Sequence, residues 1–101
     1  MARTPEGRVK DDIKRFLKTN GIWYFMTSTG GFGRSGVPDF VCCWNGRFLA
    51  IEAKAPGKRN NTTDLQDDEI AAIHKAGGAA IVVDDVQQLQ PLLERYGREV
   101  P

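Results

Sequence analysis

The sequence contains few of the residues that form zinc sites or nucleophile–histidine pairs. Its one histidine is His74, and its two cysteines are the neighbours Cys42 and Cys43. Without a Cys-x-x-Cys pair a structural zinc site is not expected, and no Ser-His-Asp or Cys-His set stands out. Neighbouring residues of a strand point to opposite faces, so the two thiols are not expected to bond to each other. Reduced cytosolic thiols are the simplest interpretation, which places the protein in a cytoplasm.

Long apolar runs and an excess of one charge are also missing. No apolar run approaches the roughly 20 residues of a membrane span, and the N-terminus lacks the apolar core of a signal peptide. Lysine and arginine total 14 against 13 aspartate and glutamate, for a net charge of +1. Any contact with nucleic acid must therefore come from local clusters of basic residues. At 101 residues the chain is expected to form a single domain spanning 1–101.

Helix and strand patterns alternate along the chain. Thr4 and Pro5 predict a helix start, and Asn20-Gly21 predicts its end. Strand-like runs follow at 22–27, 39–44, 47–54 and 79–83, with a helix after Thr63 and another after residue 84 or 85. The helix between the third and fourth strands favours a parallel crossover. The fold class is therefore α/β, a mixed sheet flanked by helices in the order α-β-β-β-α-β-α.

The second and third strand-like runs are joined by Asn45-Gly46, a strong signal for a two-residue hairpin turn. Such a turn fixes the register and places Asp39 directly opposite Glu52 on one face of the sheet. Lys54 lies two residues beyond Glu52 and shares that face. The register therefore predicts two carboxylates and an ammonium group side by side.

Like charges directly across a strand pair are destabilising, so this arrangement needs a cause. The neighbours on the same face look like core residues: Val41, Cys43, Phe48 and Ala50. A divalent cation would remove the repulsion, and Mg²⁺ is commonly held by one or two carboxylates with water and substrate phosphates. The alternative is a surface cluster in which Lys54 pairs with one acid.

Other residues are candidates for the same site or for binding phosphate. Glu6 in the first helical turn either complements the helix dipole or supplies a third acid near the metal. Arg34 and Ser35 lie in a glycine-rich segment that could approach a phosphate, or that could be an ordinary connection. Its G-x-G-x-x-G spacing is not a dinucleotide motif, because a strand follows instead of a helix. Lys58 and Arg59 could hold a phosphate backbone or belong to a solvated loop.

These residues resemble a known family of nucleases. Gly36-Val-Pro-Asp39 followed by Glu52-Ala-Lys54 resembles the PD-(D/E)xK nuclease signature. More narrowly, the chain resembles a stand-alone virus-type replication-repair nuclease (VRR-NUC) domain. Further similarities are Glu6 opening the first helix, a helix carrying Leu65-Gln66, and Ala76-Gly-Gly78 before a Val-rich strand.

The resemblance implies a restriction-endonuclease-like core and Mg²⁺- or Mn²⁺-dependent cleavage of DNA. It implies these roles: Asp39, Glu52 and the Ala53 carbonyl as metal ligands, Lys54 as the catalytic lysine, and Glu6 and Gln66 as auxiliary active-site residues. Small members are similar to homodimeric enzymes that cut branched DNA or resolve junctions, and some are phage-encoded. A phage-encoded protein would act in the cytoplasm of its bacterial host.

Two other functions remain open from the residues. The first is a non-catalytic nucleic-acid-binding module or a subunit that needs a partner for activity. The near-neutral charge disfavours strong unaided binding, since affinity for DNA grows with the number of phosphates neutralised. A small hydrolase acting on phosphorylated metabolites is a third possibility. The intact acid pair favours the metal-dependent DNA endonuclease.

Overall fold

A computed structural model describes residues 3–27 and 33–97 of the protein. Its elements are helix α1 (Pro5–Thr19), strands β1 (Trp23–Met26), β2 (Phe40–Trp44) and β3 (Arg47–Ala53), helix α2 (Asp64–Lys75), strand β4 (Ala79–Val83), a 3-10 turn (Val86–Leu89) and helix α3 (Gln90–Tyr96). The predicted order of helices and strands is confirmed. The 3-10 turn is an addition: Asp85 caps it, and the chain then starts a new helix with Pro91 in its first turn.

Helix α1 begins and ends where the sequence predicts. Thr4 caps it by accepting a hydrogen bond from the Gly7 amide, and Pro5 is its first residue. Its apolar stripe is fully or nearly buried: Val9, Ile13, Phe16 and Leu17. This stripe packs on one face of the sheet and sets the position of the helix.

The four strands form one mixed sheet in the order β1-β2-β3-β4. Strands β1, β2 and β3 pair antiparallel, and β4 pairs parallel to β3. Asn45 and Gly46 both have positive φ, as the predicted two-residue turn requires. Trp44 pairs with Arg47 and Val41 with Ala50, so the predicted hairpin register is confirmed.

The hydrophobic core lies on the opposite face from the one that the sequence suggested. The buried side chains of the hairpin are Phe40, Cys42, Trp44, Leu49, Ile51 and Ala53. Of the four neighbours of the acids that were expected to be core, Ala50 is buried, Val41 is half-buried, and Cys43 and Phe48 are exposed. Both faces carry apolar residues, so alternation alone could not identify the face that α1 covers. The cysteines do point to opposite faces, with Cys42 buried and Cys43 exposed.

Helix α2 covers only part of the other face of the sheet, the one that α1 does not contact. Thr63 and Gln66 have the spacing that predicts a capping box, and both of its hydrogen bonds form. The spacing of Leu65, Ala72, Ile73 and Ala76 predicts a buried apolar stripe on this helix. That prediction is largely wrong, because Leu65, Ala72 and Ala76 are exposed and only Ile73 is half-buried. A Cβ on Gly78 would come within 2.9 Å of Phe48 Cδ1 and 3.0 Å of Ile73 Cγ2, so this glycine permits the close approach of helix and sheet.

The part of this face over β1, β2 and the start of β3 carries exposed apolar side chains. Trp23 is 60% exposed, Phe25 49% and Phe48 45%, and Cys43 pairs with both Trp23 and Phe48 across the strands. We call the surface formed by these four residues the open face. In the described part of the chain, no helix has the length and apolar character needed to cross a membrane.

Candidate active site

Asp39 lies directly before β2 and is fixed by its neighbours on both sides. Its backbone carbonyl accepts a hydrogen bond of 2.9 Å from the Thr27 amide at the end of β1. Its carboxylate Oδ2 accepts one of 2.9 Å from the Ala53 amide at the end of β3. Asp39 therefore lies beside the end of β3, as the predicted pairing with Glu52 requires. Its Oδ1 is the carboxylate oxygen that the Ala53 amide does not use.

Glu52 is a buried carboxylate, with 4% of its surface exposed. Burial, followed by the negative charge of Asp39, raises the pKa of Glu52 to about 7, and the Lys54 ammonium offsets part of this rise. Its Oε2 accepts a hydrogen bond of 3.1 Å from Gln66 Nε2, whereas its buried Oε1 has no hydrogen-bond partner. An acceptor left unsatisfied in the interior costs free energy and needs an explanation.

Gln66 connects the acid pair to the start of α2. Its Oε1 accepts a hydrogen bond of 3.0 Å from the Thr63 amide, which is half of the capping box. The same oxygen accepts one of 2.9 Å from Lys54 Nζ, while the amide nitrogen serves Glu52. One side chain therefore caps a helix and positions two of the candidate catalytic groups.

Lys54 follows β3 and is held at both ends. Its amide donates a hydrogen bond of 2.9 Å to the carbonyl of Val83, the last residue of β4. Its Nζ lies 3.8 Å from Glu52 Oε2, and its side chain is mostly buried. The parallel strand β4 therefore fixes the backbone of the lysine, and Gln66 fixes its ammonium group.

Gly36, the first residue of the Gly-Val-Pro-Asp segment, lies against helix α2. Its φ is +87°, and a Cβ there would lie 2.6 Å from the Leu65 carbonyl carbon and oxygen. Only glycine has both the backbone freedom and the absence of a side chain that this contact requires. The contact brings the segment that leads to Asp39 against the first turn of the helix that carries Gln66.

Glu6 reaches the acid pair through a residue that the sequence analysis missed. Lys10 lies one turn after Glu6 on α1, and its Nζ is 3.3 Å from Glu6 Oε2 and 3.7 Å from Asp39 Oδ1. Burial alone would lower the pKa of Lys10, but the charge of Asp39 and the bond to Glu6 outweigh it and raise that pKa. The i,i+4 spacing of Glu6 and Lys10 is readable in the sequence. The contact of Lys10 with Asp39 is tertiary, so it cannot be read from the sequence.

The four candidate phosphate-binding residues differ in their surroundings. Arg34 forms a two-pronged ion pair with Glu69 of α2, one bond of which joins Nη2 to Oε1 at 3.0 Å. Arg59 Nε donates a hydrogen bond of 2.9 Å to the Val82 carbonyl, at the outer edge of β4. Ser35 and Lys58 are exposed. Residues 28–32 of the glycine-rich segment lie outside the described residues.

The acid pair fits a hard divalent cation. In residues 3–27 and 33–97 no three acidic, histidine or cysteine side chains converge on one point, so the protein would supply two carboxylates. The partnerless buried Oε1 of Glu52 is an available oxygen, and so is Oδ1 of Asp39, which the Ala53 amide does not use and which lies 3.7 Å from Lys10 Nζ. Mg²⁺ suits this donor set, since it keeps several waters and takes one or two carboxylates.

Comparisons with known proteins agree with this fold. A structure described as "VRR_NUC domain" superposes with a TM-score of 0.71 at 30% sequence identity, covering 93% of this chain and 99% of that one. A protein of Acyrthosiphon pisum secondary endosymbiont phage 1, named "Putative nuclease p44", is 36% identical over 90 residues, which cover 83% of this chain and 90% of the relative. No family model matches the chain.

The mixed four-stranded sheet with its helices places the chain in the restriction-endonuclease-like class of nuclease folds. Within that class, the chain belongs to the VRR-NUC family.

Proposed function

We propose that this protein is a Mg²⁺- or Mn²⁺-dependent DNA endonuclease that hydrolyses phosphodiester bonds. The observation that carries the proposal is the buried, partnerless Oε1 of Glu52 beside Asp39 at the end of the hairpin. Asp39, Glu52 and the Ala53 carbonyl would hold the ion. When bound, the ion supplies an activated water and neutralises charge on the leaving oxygen. Lys54, Gln66 and Glu6 act from fixed positions around the ion.

Lys54 is the catalytic cation of this proposal. Gln66 holds its ammonium group 3.8 Å from Glu52 Oε2, beside the position proposed for the phosphate. A fixed positive charge there stabilises the extra negative charge of the pentavalent phosphate, and it can orient the attacking water. Gln66 and Glu6 are auxiliary residues that position Lys54 and the acids.

The proposed DNA contacts are Arg34, Ser35, Lys58 and Arg59. Lys58 and Ser35 are exposed and free to meet a phosphate backbone directly, which fits their proposed role. Arg34 and Arg59 keep guanidinium groups available to solvent, although each already has a protein partner. With a net charge of only +1, we propose that the substrate is recognised by its shape, as in branched DNA or a four-way junction.

Cleavage assays with defined substrates test the activity. We expect cutting of a four-way junction or flap with Mg²⁺ or Mn²⁺, little cutting of plain duplex, and none with EDTA. Metal-free protein, restored by adding Mn²⁺, is the matched control. If no metal supports cleavage of any of these substrates, the enzyme proposal fails, and the non-catalytic or partner-dependent binding module takes its place.

The proposal includes a homodimer, in which two active sites act on two strands. The open face supports it, because large exposed apolar patches on a globular protein commonly mark interaction sites. Trp23 and Phe25 make an edge-to-face ring contact, with centroids 5.7 Å apart, and remain about half exposed or more. A two-fold dimer would bury such a surface against its own copy.

Sedimentation equilibrium measures the predicted dimer. We expect wild-type protein at twice the chain mass of 11.2 kDa, and Trp23→Lys shifted to the single-chain mass. Thr19→Lys places the same charge on α1, away from the open face, and should remain dimeric. A wild-type protein that is monomeric at high micromolar concentration would exclude the dimer. A dimeric Trp23→Lys would place the interface elsewhere.

A further inference from the structure

Lys10 bridges two carboxylates that come from distant parts of the chain. Its ammonium lies 3.3 Å from Glu6 on its own helix and 3.7 Å from Asp39 at the start of β2. Its side chain is 29% exposed, and that of Asp39 is 24% exposed, so this ion pair is partly shielded from water. Such a pair is stronger than one on an open surface.

The oxygen that Lys10 contacts is the one that Asp39 has left for a cation. Asp39 Oδ2 accepts a hydrogen bond from the Ala53 amide, so Oδ1 is the oxygen of that carboxylate that can receive a cation. Lys10 approaches Oδ1 from the α1 side, together with Glu6. Lys54 and Gln66 occupy the other side of the cluster, next to Glu52. The site therefore has two cationic side chains on two sides of the acid pair.

Two-metal phosphodiesterases hold their ions about 3.5–4 Å apart, bridged by shared acidic ligands. In this protein, Glu6 and Asp39 are two acids that could take a second ion between them. The position between those carboxylates is filled by the Lys10 ammonium. The three carboxylates and two lysines of this cluster together carry a negative formal charge. One divalent ion bound between Asp39 and Glu52 makes that total positive.

We infer that Lys10 replaces a second divalent cation, so that the active site holds one metal ion per chain. Lys10 is a positioning residue in this scheme: its ammonium takes the place of the second ion and holds Glu6 and Asp39 on either side of it. This inference rests on the proposed metal-dependent activity. It adds to that proposal the number of ions in the site and the residue that limits this number.

Titration of the intact protein with MnCl₂ tests this inference without any assay of cleavage. Free Mn²⁺ is counted by electron paramagnetic resonance, and heat is measured by calorimetry on the same samples. We expect one Mn²⁺ per chain for wild type and for Lys10→Arg, which keeps the charge. We expect two for Lys10→Gln, with the second binding at least tenfold more weakly. A Lys10→Gln, Glu6→Gln double variant should return to one, because it lacks the second acid.

Lys14→Gln is the matched control. Lys14 lies one turn further along α1, and its Nζ is 3.7 Å from Asp11 Oδ1, away from the acid pair. It should bind one Mn²⁺ with unchanged affinity. Circular dichroism confirms that each variant is folded.

Three results overturn the inference: two Mn²⁺ in wild type, a single Mn²⁺ in folded Lys10→Gln, or two in Lys10→Arg. A merely structural Lys10 would give one ion in every variant. If wild type binds no Mn²⁺ at all, the proposed metal-dependent function fails instead, so the two failures are distinguishable.

Discussion

Glu52→Gln is expected to abolish cleavage while making the metal-free protein more stable. The amide removes a metal ligand, and we expect cleavage to fall by at least about 10³-fold, as when a reaction loses a group that acts on its transition state. The same change removes a buried negative charge from beside Asp39. Loss of activity with a gain in stability is the pattern of a functional residue held in an unfavourable environment.

The gain in stability depends on pH in a defined way. The pKa of Glu52 is raised from 4.5 to about 7 in the folded protein. Between these values the folded state binds a proton that the unfolded state has lost, so the free energy of unfolding falls as pH rises through this window. The full shift corresponds to about 3 kcal/mol. At pH 8, Glu52→Gln should therefore exceed metal-free wild type by up to about 3 kcal/mol, and the two should converge near pH 4.

Urea unfolding in EDTA at a series of pH values measures this difference. Glu94→Gln, a change of an exposed acid on α3, is the control and should leave both stability and cleavage unchanged. Wild-type cleavage rates in Glu52→Gln would refute its role as a ligand. A variant less stable than wild type at pH 8 would show that the ionised carboxylate makes favourable contacts that outweigh its burial.

Lys54→Ala is expected to lower turnover by about 10²–10³-fold, the typical cost of removing one group that stabilises transition-state charge. Metal affinity should change by less than about tenfold, because the lysine is not a ligand and its removal takes one positive charge away from the ion. The ammonium also donates a hydrogen bond to Gln66 Oε1, which keeps its second donor, the Thr63 amide. The capping box of α2 should therefore survive the substitution.

Single-turnover cleavage and calorimetric titration with Mn²⁺ separate these two quantities. Lys75→Ala removes an exposed lysine from the far end of α2 and should match wild type in both measurements. If metal binding were lost while turnover per bound ion stayed the same, Lys54 would be a structural partner of the acids instead of a catalytic cation.

Much of the site could be predicted because its central residues are joined by local geometry. The Asn45-Gly46 turn needs positive φ at both residues, and that requirement fixes the register of the whole hairpin. Once the register is fixed, Asp39 and Glu52 meet without any further information. The capping box is equally local, since Thr63 and Gln66 are three residues apart.

The core face could not be predicted in the same way. Phe40 and Trp44 alternate with Val41 and Cys43, so both faces of β2 carry apolar side chains. The choice between them depends on where α1 packs, which is a tertiary contact. Helix α2 shows the same limit: it carries apolar residues on its surface, and only Ile73 and Ile70 are partly covered.

Sequence alone determined the order of the elements, the hairpin register and the meeting of Asp39 with Glu52, because turn and cap chemistry act over a few residues. Tertiary structure decided which face is buried, how deeply Glu52 is desolvated, and that Lys10 reaches Asp39 across 29 positions of the chain. Those outcomes depend on the packing of a helix against a sheet, and no spacing along the chain encodes that distance.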